Sequence, residues 1–300
     1  KLLFSCFVNN FYSSLKFLKM KHLFFRGLGL LILISFFTIS CQNESDKSEL
    51  PTKDQAFSSG QFQEFFQKVN SQFKGSASLS TRGIIPPQFS SACQPQVPSA
   101  GQNCSTAHII RTVNLPPNPT CPVCTTAIVG FDVRVCFEFI NNSPVPTYSF
   151  SFWNFGLAGL SPDCETCIFN LPGHGGDVVL DQMSYQASLI AESEYVSPWV
   201  NTWHPPCVNN SYYSSDFIRQ TCYRWCINLS NFEISQITCG DKCCQRTRTF
   251  CWEPLPVPNG TVRISPPVFQ SIGASNCGII TLTCNGLQLP CEDRPCGIVP

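Results

Sequence analysis

Eighteen cysteines fall between Cys93 and Cys296, and no other feature of this chain limits its folding so severely. They are Cys93, Cys104, Cys121, Cys124, Cys136, Cys164, Cys167, Cys207, Cys222, Cys226, Cys239, Cys243, Cys244, Cys251, Cys277, Cys284, Cys291 and Cys296, with Cys6 and Cys41 standing apart near the N-terminus. In an oxidising compartment an even set at this density is a framework of up to nine disulfides, whose pairing the sequence leaves open; in a reducing one it reads as metal sites. Two CxxC pairs, Cys121-Pro-Val-Cys124 and Cys164-Glu-Thr-Cys167, keep both readings alive. Four thiolates can hold zinc in a tetrahedron at about 2.3 Å each, and a single pair can act as a redox couple. Cys243 and Cys244 are adjacent. Their Cα atoms are held at about 3.8 Å, below the roughly 4.4 to 6.8 Å of a bridge, so they must bond to different partners.

The segment Met20 to Cys41, MKHLFFRGLGLLILISFFTISC, decides between the compartments. A basic start (Lys21, His22, Arg26) precedes an apolar run from Gly27 to Ile39, then Ser40 and a cysteine. That is the anatomy of an export signal, and the run falls short of the roughly 20 residues a membrane-spanning helix needs. Its ending resembles the lipobox of bacterial lipoproteins, which implies that Cys41 is lipidated and becomes the first residue after cleavage. The polar, acidic Gln42-Asn43-Glu44-Ser45-Asp46 that follows resembles the export signal of surface lipoproteins of Bacteroidota. The resemblance covers Met20 to about Asp46 and implies an outer-membrane lipoprotein, surface-exposed rather than periplasmic. Residues 1–19 precede a complete signal with its own Met, and are read as a mis-extended reading frame. With export as the premise, the cysteines are staples.

The rest divides into a tether and linker over 41–103 and a cysteine-rich region over 104–300. Within the first, Phe62, Phe65, Phe66, Val69 and Phe73 recur at helical spacing, and Ser58 with Gln61 makes a capping box, which predicts a short amphipathic helix near 61–73. Residues 75–103, rich in Pro, Ser and Gln, read as an extended linker. From Cys104 on the period changes to two. Val129, Phe131, Val133, Val135, Phe137 and Phe139 alternate with polar residues, as do Tyr148, Phe150 and Phe152, and Asn141 to Pro144 between them predicts a hairpin. Further strands are predicted over 107–113, 178–182, 186–196, 246–252, 261–264 and 278–284; 211–232 is ambiguous, with a short helix as one reading. Many Phe, Pro and Gly residues favour short strands and turns, and the expected fold is an all-β, disulfide-rich antiparallel β-sandwich, one large or two small.

Chemistry is harder to find. Lys and Arg balance Asp and Glu at 19 each, and no basic patch points to nucleic acid. The most site-like loop is Gly173-His174-Gly175-Gly176-Asp177, where His and Asp could do acid–base work, but no serine nucleophile elbow, HExxH or P-loop accompanies it. Glu192 and Glu194 would share a face of the predicted 186–196 strand, the arrangement a carboxylate-pair hydrolase needs. Arg246, Arg248 and Trp252 share a strand face that would suit carbohydrate or another envelope protein. No catalytic residue and no cofactor is assigned. The expected function is a lipid-anchored binding, adhesion or structural module. A hydrolase near His174 and Asp177, and a zinc module using the CxxC pairs, are the alternatives.

Overall fold

The computed structural model describes residues 58–73, 84–85, 90–98, 102–139, 146–208, 212–228, 233–254, 260–274, 276–278, 281–284 and 286–297. The chain divides into two units, Lys1–Asp54 and Gln55–Pro300, and the described residues all belong to the second. Cys41, the signal-like segment and the acidic stretch after it lie outside the described residues.

Helix α1 (Ser59–Phe73) opens the unit, and its start is fixed by reciprocal capping: Gln61 N donates to Ser58 Oγ (3.3 Å) and Ser58 N to Gln61 Oε1 (2.8 Å). Its buried stripe is Phe62, Phe66, Val69 and Phe73. Phe62 sits against Phe137, Tyr148 and Trp199, with ring centroids at 4.5, 6.3 and 6.1 Å. The helix expected on the tether is therefore part of the core.

A seven-stranded sheet dominates the fold. β2 (Asn103–Asn114), β3 (Thr126–Glu138) and β4 (Thr147–Leu160) form an antiparallel meander, with Val133 opposite Phe152, Val135 opposite Phe150 and Phe137 opposite Tyr148. The sheet continues through β5 (Tyr213–Gln220) and β8 (Lys242–Glu253) to β9 (Thr261–Ile264) and β10 (Val268–Gly273) at its far edge. A smaller sheet joins β1 (Ile84–Ile85), β7 (Glu233–Thr238) and β6 (Tyr223–Asn228), and β11 (Thr281–Cys284) pairs with β12 (Leu287–Pro290). The β-rich, disulfide-stapled fold with a short helix ahead of its sheet is thus the one present.

Several local expectations need correction. Residues 178–182 and 186–196 are not strands: they lie in one helix, α3 (Gly175–Trp203), preceded by α2 (Pro162–Phe169). α3 buries residues on more than one side, among them Leu180, Met183, Ala187, Ala191, Tyr195, Val196, Trp199 and Val200, so no clean polar face advertises it. Because α2 and α3 lie between them, β4 and β5 can pair in parallel, as their register Ser149–Ser214 to Phe152–Phe217 shows; a hairpin could not connect parallel neighbours. The ambiguous 211–232 segment contributes two strands, β5 and β6. Of the strand expected over 278–284, Thr281–Cys284 is one among the described residues. The supposed linker is tied down at two points, since Ile84 and Ile85 pair with Ile234 and Ser235, and Cys93 is bonded to Cys243.

Nine disulfides consume all eighteen cysteines from Cys93 on: 93–243, 104–136, 121–167, 124–164, 207–251, 222–277, 226–284, 239–291 and 244–296. The last four bridges run in order along the C-terminal segment, each returning it to the stretch between Cys222 and Cys244. Among the described residues beyond Cys251, only Cys277 and Cys284 are buried apolar side chains. Bridges hold that segment where a hydrophobic core would otherwise have to.

Candidate functional site

The inner face of β8 meets α3 through charge. Glu192 is fully buried, and its Oε2 accepts from Arg246 Nη2 (2.7 Å) and Arg248 Nη1 (3.3 Å), while its Oε1 accepts from Ser215 Oγ (2.6 Å). Arg246 also donates to Ser188 Oγ (2.8 Å) and lies 4.5 Å over the Phe217 ring. Burial pushes the Arg246 guanidinium below its ordinary value, and Glu192 beside it opposes that shift. Arg246 and Arg248 do share a face, as alternation predicts, but it is the face turned to the core. Arg246 is 4% exposed and cannot meet a ligand from solvent, which corrects the expected binding face. Trp252 is half-buried, its ring 4.2 Å from that of His204, and a Cβ at Gly260 would come within 2.4 Å of its indole. Its flank is therefore occupied by backbone.

The expected carboxylate pair also separates, because positions two apart on a helix do not face each other. Glu192 points inward, whereas Glu194 is 44% exposed and pairs with Arg111. The Gly173 to Asp177 loop is the entry to α3. His174 holds the N-cap position without a side-chain cap bond, its Nδ1 lying 3.3 Å from Asp177 Oδ2. Burial raises the Asp177 carboxyl above its usual range, offset in part by the His174 hydrogen bond and the Arg294 charge. No nucleophile is among the partners of this pair in the described residues, and the second carboxylate whose charge reaches Asp177, Glu292, is itself paired with Arg224 and Arg294.

A second buried charge cluster had no signal in the sequence. Asp181 Oδ1 accepts from the Tyr223 hydroxyl and Trp225 Nε1, both at 2.7 Å, and Oδ2 pairs with Arg294 Nη1 at 3.0 Å. Arg294 continues to Glu292 (2.7 Å) and Glu292 to Arg224 (2.6 Å). The chain of contacts locks α3, β6 and the C-terminal segment together. Its parts are far apart in sequence and only the fold assembles them.

The two CxxC pairs face each other, with Cys121 bonded to Cys167 and Cys124 to Cys164. Each bridge crosses between motifs rather than closing within one, so these pairs act as staples between the loop after β2 and α2. Their sulfurs are bonded to one another and offer no thiolates to zinc, which is the physical objection to the metal reading.

The outer face of the sheet is different in kind. Register aligns Thr106, Arg134, Ser151, Asp216 and Thr247 in one row across five strands, and Cys104, Cys136, Ser149, Ser214 and Thr249 in the next. On the inner face the corresponding neighbours are buried Val133, Val135, Phe150, Phe152 and Phe217. Most side chains of the two outer rows are partly or fully exposed, and Thr247 Oγ1 donates to Asp216 Oδ1 at 2.6 Å. Hydroxyls, a carboxylate and a guanidinium thus line a hydrogen-bonding surface built on paired strands.

Fold and surface together define a disulfide-stapled β module of the oxidising, exported kind, and among its described residues no helix is long and apolar enough to cross a membrane. No family model matches the chain, nor does any curated protein or solved structure compared with it.

Proposed function

We propose that this chain is an exported, lipid-anchored module of the outer membrane that works by binding, with the outer sheet face as its contact surface and no chemistry of its own. The lipobox-like Cys41 and the acidic stretch after it support the anchor and surface exposure, and the nine bridges support a rigid body. The observation that carries the reading is the polarity split of the sheet. Its aromatic side is spent on the core, while its other side, beyond the patch where Cys93 packs with Ile218, Cys243, Trp153 and Ile272, offers ordered rows of Ser, Thr and Asp with Arg134, which donates to Gln96 O. Such a surface suits a partner rich in hydroxyls, and carbohydrate of the cell envelope fits it better than an apolar protein face does. The hydrolase alternative loses support because the described partners of His174 and Asp177 complete no catalytic set and Glu192 and Glu194 diverge.

Two measurements test this. Cys41→Ala should move the protein from the membrane fraction to the soluble one; unchanged partition sinks the lipid anchor. Binding of the oxidised protein to envelope polysaccharide should weaken at least tenfold in Ser151→Asp/Thr247→Asp, and equal binding by that variant rules out the outer face.

A further inference from the structure

The two edges of the seven-stranded sheet are built differently. One edge consists of β9 and β10, four and six residues long, separated by Ser265 and the pair Pro266-Pro267. Short strands and prolines are what keep a sheet edge from recruiting another strand. The other edge is β2, twelve residues long, paired with β3 without a register break from Asn103 to Asn114. It contains no proline, no lysine and no bulge.

Its backbone groups can be assigned. Cys104 and Cys136 are directly opposite and bridged, with Cα atoms 4.0 Å apart, the close spacing of a non-hydrogen-bonded pair. Residues in such pairs direct both N–H and C=O away from the partner strand. By alternation, Cys104, Thr106, His108, Ile110 and Thr112 all turn theirs from β3 toward the open edge. None of these groups has a hydrogen-bond partner among the described residues, and Thr106, His108, Ile110 and Thr112 are exposed, Ile110 at 47%.

We propose that β2 is an assembly edge that pairs antiparallel with β2 of a second copy of this chain, continuing the sheet across a two-fold axis. Charge favours a copy of itself as the occupant. The one acidic or basic side chain of the strand apart from His108 is Arg111, which is turned inward to Glu194 and lies 4.6 Å over the Phe73 ring. Pairing centred on Ile109 sets His108 opposite Ile110 and Thr106 opposite Thr112, with Arg111 opposite Ala107. No like charges face each other, and every opposed pair is compatible with a strand ladder. The inference stands apart from the binding role proposed above, because it uses the edge rather than the outer face.

The test is the mass of the full oxidised chain in detergent, followed by sedimentation over a range of concentrations, with hydrogen exchange on β2. A dimer is expected, with slow exchange at Thr106, His108, Ile110 and Thr112. Ile110→Lys places a charge at the edge, and Ile110→Pro removes one edge-directed N–H while leaving the β3 ladder intact. Each should raise the dimer dissociation constant at least tenfold, whereas Val268→Lys on the opposite edge should not change it. A chain that stays monomeric with fast-exchanging β2 amides overturns the proposal, whether or not it takes up a strand from some other protein. So does a dimer that both Ile110 variants leave intact.

Discussion

Glu192 is the residue on which the inner charge cluster depends. One fully buried carboxylate faces two guanidinium groups, and removing it leaves both without their counter-charge in a dry site. Glu192→Ala should cost about 3 to 5 kcal/mol in denaturant unfolding under oxidising conditions. Glu194→Ala, two residues on but at the surface, should cost no more than about 1 kcal/mol. Asp177 gives a pH-dependent counterpart. Its carboxyl holds a proton more tightly in the folded chain than in the unfolded one, so the folded state gains at low pH. That gain fades as pH rises from the ordinary carboxylate value through the raised one. Asp177→Asn should therefore be more stable than the parent at neutral pH, and the difference should vanish below the ordinary carboxylate range; thermal melts across pH read this directly. At this scale alternation along β8 placed Arg246 and Arg248 on one face correctly. Which face was the core could not be read, because an arginine that finds a buried carboxylate from another element looks in sequence like a surface arginine.

Among the elements, α1 and α3 mark the limits of reading by period. The stripe of α1 was legible because one side is apolar and the other polar. Phe62→Ala should cost about 3 to 5 kcal/mol, since its ring is enclosed by Phe137, Tyr148 and Trp199. Limited proteolysis should then cut near α1 first. Helix α3 was hidden for physical reasons. It begins in a Gly-rich stretch without a capping side chain, contains β-branched pairs such as Val178-Val179, and carries Pro198 in its interior. Buried residues on several sides, Asp181 and Glu192 among them, erase the amphipathic signal. Tertiary packing stabilises a helix here that local preference would not have chosen. The parallel β4–β5 pair followed from that same unseen crossover.

For the unit as a whole, the disulfides divide the labour of folding. The region from β2 to β5 with α1 and α3 has a dense aromatic core. The C-terminal segment has almost none among its described residues and hangs on the bridges from Cys277, Cys284, Cys291 and Cys296. Removing Cys226–Cys284, which closes a separation of 58 residues, should cost about 2 to 4 kcal/mol and increase hydrogen exchange over β11 and β12 while the inner core keeps its protection. That cysteines would staple the chain was legible from their even number and the export-like N-terminus, and the different partners of Cys243 and Cys244 from covalent geometry alone. The connectivity was not, because pairing depends on strand order, and strand order depended on α3. Peptide mapping of the unreduced protein by mass spectrometry reaches the point on which export, rigidity and the non-metal reading all rest. The expected result is nine linkages, with Cys121 joined to Cys167 and Cys124 to Cys164, and no free thiol from Cys93 to Cys296. Several reduced thiols in the CxxC pairs together with stoichiometric zinc would contradict it.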